Sequence, residues 1–340
     1  SSTKWKGRNN MEKNMPWQRE CDVLKQTKPT MRKTPDEDLT AWQEKARKKL
    51  VKLTGLENYE NCEHNFILEY KKSFDDFDEY RFVFQSEPNY TVPCHLCVPH
   101  IENPPLMICL QGHSTGMHVS LGRLKDGDDL DDIEGERDFM PHSVKRGYAA
   151  LVLEQRCFGE RGGTPRPNCH QASMVALLTG RTTIAARVWD IMTAIDVVAE
   201  QFSDIVNIDK IYCMGNSGGG TATIYATAID TRIKGAIPSC AFCSFVDSIG
   251  DKSHCECNYI PNIARYFDMA DICGLIAPRP LVIVNGKDDG IFPLIPAENE
   301  FNILKEIYYN GSDKCRHVVG NEGHRFYAEP SFTEFKEITG

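Results

Sequence analysis

Between residues 62 and 98 apolar and polar positions alternate in three short runs, 65–70, 80–85 and 90–98, separated by acidic or Pro/Asn turns. Period-two alternation predicts half-buried strands, and a meander of three predicts the antiparallel edge of a mixed sheet. After Pro104-Pro105 the pattern changes. Short apolar runs at 106–110, 149–153, 211–214, 233–238, 281–285 and 316–319 now alternate with stretches of helical period, notably 184–202, 219–229, 297–309 and 331–338. Repeated strand-helix units make a mostly parallel sheet flanked by helices, with the functional loops at the carboxyl ends of the strands. The predicted class is α/β.

Residues 1–33 are polar and show no periodicity. Thr34-Pro35-Asp36-Glu37 then has the form of a helix start, with Thr34 as N-cap, Pro35 at the first helical position and Glu37 closing a capping box. Leu39, Trp42, Ala46, Leu50 and Leu53 follow at helical spacing, and Gly55 ends the run. An amphipathic helix must bury its apolar stripe. The division expected is an amino-terminal helical extension over 1–60, packed on a main domain of 61–340. Within that domain the 240–275 connection is long enough to be a lid or cap.

The net charge of −9 and a pI near 5.6 argue against a nucleic-acid or anionic-membrane partner and suit a small, neutral or cationic substrate. No apolar run approaches the roughly 20 residues that span a bilayer, and the first residues lack the apolar centre of a signal peptide. Of the 14 cysteines, Cys109 and Cys213 lie in strand-like runs, where a thiol behaves as a small buried hydrophobe. We read the set as reduced, which favours a cytoplasmic site. Cys94 and Cys97 fall on opposite faces of a strand and are poor co-ligands. The pairs Cys240/Cys243 and Cys255/Cys257 leave zinc as an alternative, although the reading preferred is that no metal and no cofactor is needed.

The chemistry-bearing positions each follow a strand. The run 211–214 leads straight into Gly215-Asn216-Ser217-Gly218-Gly219 and an Ala/Thr-rich helix, the strand, sharp turn, helix pattern of a G-x-S-x-G nucleophile elbow. Ser217 sits at the apex, beside the unpaired N–H groups and positive end of the helix that begins there. Gln111-Gly112-His113 closes the 106–110 run, so the backbone N–H groups of His113 and Gly218 are the candidate donors to an oxyanion. His113 as the base would break the chain order serine, acid, histidine. Asp288 and Asp289 follow the 281–285 run; Asp289, three after Gly286 and four before Pro293, has the spacing common in hydrolases with such a loop. Asp247 ranks below both. His324, in Glu322-Gly323-His324 after the last strand, is the candidate base.

With LQGH at 110–113, EQRCFGERGG at 154–163, GNSGGG at 215–220, IAPRPL at 276–281, the Asp289 loop and EGH at 322–324, the chain resembles the α/β-hydrolases over roughly residues 34–338. Within them it resembles the acetyl xylan esterase, cephalosporin-C deacetylase and dienelactone hydrolase-like group. The resemblance implies the α/β-hydrolase fold, Ser217 as nucleophile, His324 as base, Asp289 as acid, and His113 and Gly218 as oxyanion donors. It departs from the bacterial deacetylases at Gly218, where those often carry glutamine. The expected activity is carboxylic-ester hydrolysis through an acyl-enzyme, on a small ester such as an acetylated carbohydrate, and the resemblance allows a homo-oligomer. Rival readings are a serine peptidase or thioesterase of the same fold, a non-catalytic binding protein, and a zinc enzyme using the cysteine-rich connection. Arg156 and Arg161 either line the substrate mouth or tie down their own loop.

Overall fold

A computed structural model describes residues 15–128, 130–162 and 168–340, without the side chains of residues 131, 132, 310 and 312. Gly163 of the predicted loop motif and the first 14 residues of the polar amino terminus lie outside the described residues. In chain order the elements are α1 (Pro16–Gln26), α2 (Leu39–Thr54), β1 (Ile67–Ser73), β2 (Phe77–Glu87), β3 (Tyr90–Pro99), β4 (Pro105–Leu110), α3 (Asp131–Glu134), α4 (Phe139–Val144) and β5 (Ala149–Leu153). There follow α5 (His170–Leu177), α6 (Thr183–Phe202), β6 (Asn207–Asn216), α7 (Gly218–Ile229), β7 (Ile233–Ser239), α8 (Ile263–Tyr266) and α9 (Met269–Gly274). The chain closes with β8 (Leu281–Gly286), α10 (Leu294–Ile307), β9 (Cys315–Gly320) and α11 (Ala328–Thr339).

Among the described residues the strands form one sheet in the order β1-β2-β3-β5-β4-β6-β7-β8-β9. The first three are antiparallel, as the meander predicts, and β3 also runs antiparallel to β5; from β5 to β9 the pairing is parallel. The order reverses at β4, whose neighbours are β5 and β6. Loops leaving β4 and β6 therefore open a crevice at the carboxyl edge, where open α/β sheets hold their sites. The register Leu110↔Gly215 brings those loops side by side.

Each parallel strand feeds two cores in alternation. Leu106, Ile108 and Leu110 of β4 face the core shared with α2, α6, α7, α9 and α10, whereas Met107 and Cys109 face the core under α4 and α11. Cys94 and Cys97 part in the same way, one to each core. This is the period-two geometry of a strand.

The α2 helix starts later than the sequence suggests. Thr34 N–H donates to Glu37 Oε2 (2.8 Å), closing a separate turn, and Asp38 is the N-cap, accepting from Ala41 N–H at 2.9 Å. A shorter-range partner has taken Glu37, so Pro35 stands outside the helix. Gly55, at φ 76°, ends it as expected. Trp42, Ala46, Leu50 and Thr54, four residues apart, form the buried stripe. Gln43 and Arg47 donate to carbonyls of Ala277 (2.6 Å) and Ala228 (2.8 Å), anchoring the helix to the main sheet layer. α1 lies in the stretch that carries no periodicity. Only Cys21 of it is buried, so no apolar stripe exists to be read.

Arg156 and Arg161 tie down their loop. Both reach Asp190 on α6, Arg156 through two bonds (2.8 and 2.9 Å) and Arg161 through one (2.6 Å); Ser86 Oγ adds a fourth at 2.6 Å. Burial, with only 1% of Asp190 exposed, pushes its pKa up, but the charges of Arg161 and Arg156 and these bonds outweigh it and hold the group well below its ordinary 3.8. A lowered carboxylate pKa stabilises the fold above the ordinary value, and the contribution fades as pH falls through it. Asp190→Asn, which strips Arg161 of its carboxylate and leaves Arg156 with Glu87 alone, is expected to cost about 3–5 kcal/mol in urea unfolding. The variant's stability should also fall less steeply below about pH 4 than that of the wild type.

Candidate active site

Ser217 stands between β6 and α7 with φ 55° and ψ −122°, a conformation that costs a non-glycine residue about 1–3 kcal/mol. The surroundings impose it. A Cβ on Gly219 would lie 1.9 Å from Leu110 O, and one on Gly215 would lie 2.6 Å from both Gly219 and Leu110 O. Strand and helix thus meet with no room for side chains, and the turn throws the Ser217 side chain out at the sheet edge. Ser217 N–H is spent on Ser239 O at the end of β7 (2.9 Å), and Ser239 Oγ holds Asn216 Oδ1 (2.8 Å). Gly218 opens α7, so its N–H has no acceptor within the helix.

The loops after β8 and β9 deliver the other two side chains. Gly286 pairs with Gly320, and a Cβ on Gly286 would sit 2.0 Å from Gly323 O, so the last loop crosses directly over the end of β8. Lys287 and Asp288 donate their N–H groups to Gly320 O (2.8 Å) and Glu322 O (3.0 Å). This seam brings His324 Nδ1 to 2.8 Å from Asp289 Oδ2. Asp289 Oδ1 accepts the N–H groups of Ile291 (2.8 Å) and Phe292 (3.0 Å). Burial alone would raise the Asp289 pKa; the bond and charge of His324 and the two N–H groups lower it overall, so the carboxylate stays charged. With Nδ1 committed to the acid, Nε2 of His324 is left for a proton relay. Asp288 is exposed, and Asp247 is engaged by Ser244 Oγ on its own turn.

Ser217 and His324 line one cavity of about 70 Å³ with Gln111, Gly112, His113, Ser114, Val119, Arg137 and Asn216. The His113 N–H has no acceptor among the described residues. Its loop runs close over the elbow, where a Cβ on Gly112 would meet Asn216 O at 2.8 Å. A Cβ on Gly218 would meet His113 Nδ1 at 2.8 Å, so a side chain at 218 would require the His113 ring to move. The five predicted residues are all brought to this edge.

Three further residues shape the site. Glu154, at the end of β5, accepts from Gln111 Nε2 (2.8 Å) and Met117 N–H (3.0 Å) and so holds the β4 loop from behind; burial pushes its pKa up to about 7. Phe292 stacks on the His324 ring at 6.1 Å, and Arg137 donates to His324 O at 2.7 Å. Glu154 lies within a motif the sequence singles out. Nothing in the chain around Arg137 or Phe292 announces their roles.

The connection 240–275 carries α8 and α9. Its cysteines divide. Cys240 packs beside Asp289 and donates to Arg325 O (3.2 Å), and Cys243 donates to Pro293 O (3.7 Å), whereas Cys255 and Cys257 meet Cys169 and His113.

This architecture has known counterparts. No protein-family model matches the chain. It is 27% identical over 241 residues to YtaP of Bacillus subtilis (strain 168), provisionally named a hydrolase, covering 69% of this chain and 78% of that one. A crystal structure from Bacteroides fragilis, provisionally named an acetyl xylan esterase, superposes with a TM-score of 0.75 at 15% identity, covering 99% of this chain and 91% of that chain. A glucuronoyl esterase from Solibacter usitatus superposes with a TM-score of 0.67 at 13% identity, covering 92% and 96%. The chain has the α/β-hydrolase fold, with a mostly parallel sheet flanked by helices. Among the described residues no helix is long and apolar enough to cross a membrane.

Gly219→Ala places a methyl against the Leu110 carbonyl and is expected to cost about 3 kcal/mol or more in urea unfolding. Gly290→Ala, with nothing within 4 Å, should instead be neutral or stabilising by up to about 1 kcal/mol.

Proposed function

We propose that the chain is a serine carboxylic-ester hydrolase in which Ser217 is the nucleophile, His324 the general base and acid, and Asp289 the residue that orients His324. The observation that carries the reading is the 2.8 Å bond between His324 Nδ1 and buried Asp289, in a cavity that His324 shares with Ser217 on its strained turn. His324 Nε2 takes the proton of Ser217 Oγ as the oxygen attacks the ester carbonyl. Charge builds on the former carbonyl oxygen, where the N–H groups of His113 and Gly218 are disposed to meet it. The imidazolium, facing the Asp289 carboxylate, then gives its proton to the departing alcohol, leaving an acyl group on Ser217. Water repeats the sequence and releases the acid. No step calls for a cofactor.

The small volume of the cavity supports a small acyl group. At about 70 Å³, with walls formed by Val119 and Arg137, it leaves little room for an ester's acyl end beside Ser217. An acetyl fits such a space better than a butyryl. The neighbours named as acetyl xylan and glucuronoyl esterases support an ester carried on a carbohydrate, and an acetylated sugar is the substrate class we favour.

Hydrolysis of p-nitrophenyl acetate and butyrate, and acetate release from acetylated sugars, test this. Ser217→Ala is expected to lose on the order of 10⁴–10⁶ in kcat and Asp289→Asn about 10⁴, each with little change in fold. Acetate should exceed butyrate in kcat/KM by about tenfold or more. Full activity in the Ser217 variant overturns the assignment of the nucleophile, and an equal rate on both esters overturns the acetyl preference.

A further inference from the structure

Beside the cavity, three thiols and the imidazole of His113, side chains the proposed chemistry does not use, converge from distant parts of the chain. His113 Nε2, Cys169 Sγ, Cys255 Sγ and Cys257 Sγ all lie within 4.8 Å of one another. His113 Nε2 is 3.3 Å from Cys257 Sγ and 3.8 Å from Cys169 Sγ. Zinc bonds of about 2.3 Å to sulfur and 2.0–2.1 Å to nitrogen set tetrahedral ligand atoms roughly 3.5–3.8 Å apart. The two distances from His113 Nε2 bracket that spacing, and no pair among the four atoms exceeds it by more than about 1.3 Å.

The charge around them is the second observation. Arg187 on α6 is 3% exposed and has no carboxylate partner among the described residues. Its Nη1 donates to Cys257 Sγ (3.3 Å) and its Nη2 to Cys169 Sγ (3.5 Å), and its plane lies 4.5 Å from the Phe158 ring centroid. A buried guanidinium needs a compensating anion, and neutral thiols do not supply one. Three thiolates crowded this closely repel one another unless a cation sits among them. A divalent ion bound by three thiolates and a neutral imidazole carries a net charge of −1, and Arg187 cancels it. The N–H groups on sulfur are the outer contacts that tune such centres.

We propose that His113, Cys169, Cys255 and Cys257 bind one structural Zn²⁺, with Arg187 as the positioning residue behind the sulfurs. On binding, the three thiols release their protons to solvent and each sulfur gives an electron pair to the metal. Four protein ligands leave no open position, so the ion fixes structure and does not activate water. It joins the β4 loop, the start of α5 and the 240–275 connection at the site mouth. His113 would thereby be held by Nε2 while its N–H faces the reacting oxygen. Cys240 and Cys243, the other pair with zinc-like spacing, take no part.

The full chain is produced in zinc-supplemented medium under reducing conditions, and its metal content is measured after gel filtration. One zinc per chain is expected, and Ser217→Ala should keep it, which separates this proposal from the esterase reading. Anaerobic exchange to Co²⁺ should give thiolate-to-metal charge-transfer and intense tetrahedral bands, shifted in His113→Ala. Cys255→Ser/Cys257→Ser should lose the metal, whereas Cys157→Ser, which touches the cluster from outside the ligand set, should retain it. Arg187→Gln should weaken zinc about 10–100-fold in chelator competition. Metal-free wild type with these thiols open to titration, or with Cys169 found in a disulfide to Cys255 or Cys257, overturns the proposal. So does retention of full zinc by the double variant.

Discussion

The contact between Gly219 and the carbonyl of Leu110 is the constraint on which the site depends. A single Cβ there would stand 1.9 Å from that oxygen, so β4 and the start of α7 lie closer than any side chain permits. Because of that approach, Ser217 has to turn through a positive φ, its N–H goes to Ser239 on β7, and the N–H of Gly218 is left facing out. The same approach puts the β4 loop over the elbow, with His113 against Gly218. The strain at Ser217 is thus maintained by close packing of backbone on backbone, and the positions of the Gly218 and His113 N–H groups follow from it.

This explains which parts could be read from the chain. Glycines at 215, 218 and 219 mark a close approach that composition alone would not require, and Ser217 lies between them. Asp289 and His324 were legible because each follows an apolar run that can only be a buried strand, and register then fixes the distance: Gly286 opposite Gly320 leaves their loops no choice but to meet. What was not legible depends on side chains meeting across long connections. The start of α2 turned on whether Glu37 would bond Thr34 before or within the helix, a competition between two local caps that spacing cannot decide. Arg137 and Phe292 act through contacts with His324 made from irregular backbone, where no period exists to be read.

Two buried carboxylates that both act on the loop after β5 show how polar groups hold this irregular backbone. Asp190 fastens the loop after β5 through Arg156 and Arg161, and Glu87, 2.6 Å from Arg156, supplies the second negative charge. Glu154 has no such pair on its own oxygens. It accepts from Gln111 and from backbone N–H groups, and burial raises its pKa to about 7. Both satisfy groups that would otherwise be buried without partners, which is the condition under which a long connection can pack against a core.

The strand-end residues of the candidate site and its surroundings accordingly follow different rules. Ser217, Asp289 and His324 each lie within four residues of a strand end, and their places are set by the ladder of the sheet. The cavity wall opposite Ser217 and His324 comes from the connection after β4. That connection and those after β5 and β7 lie outside the ladder and are positioned largely by side chains. Arg187, Asp190 and Glu154 all serve those connections, two of them from α6 and one from the tip of β5. Changes in these walls can alter which ester enters without touching the strand-end geometry. A likeness of fold at 13–15% identity therefore speaks to the course of the strands and their end loops and says little about what reaches the site.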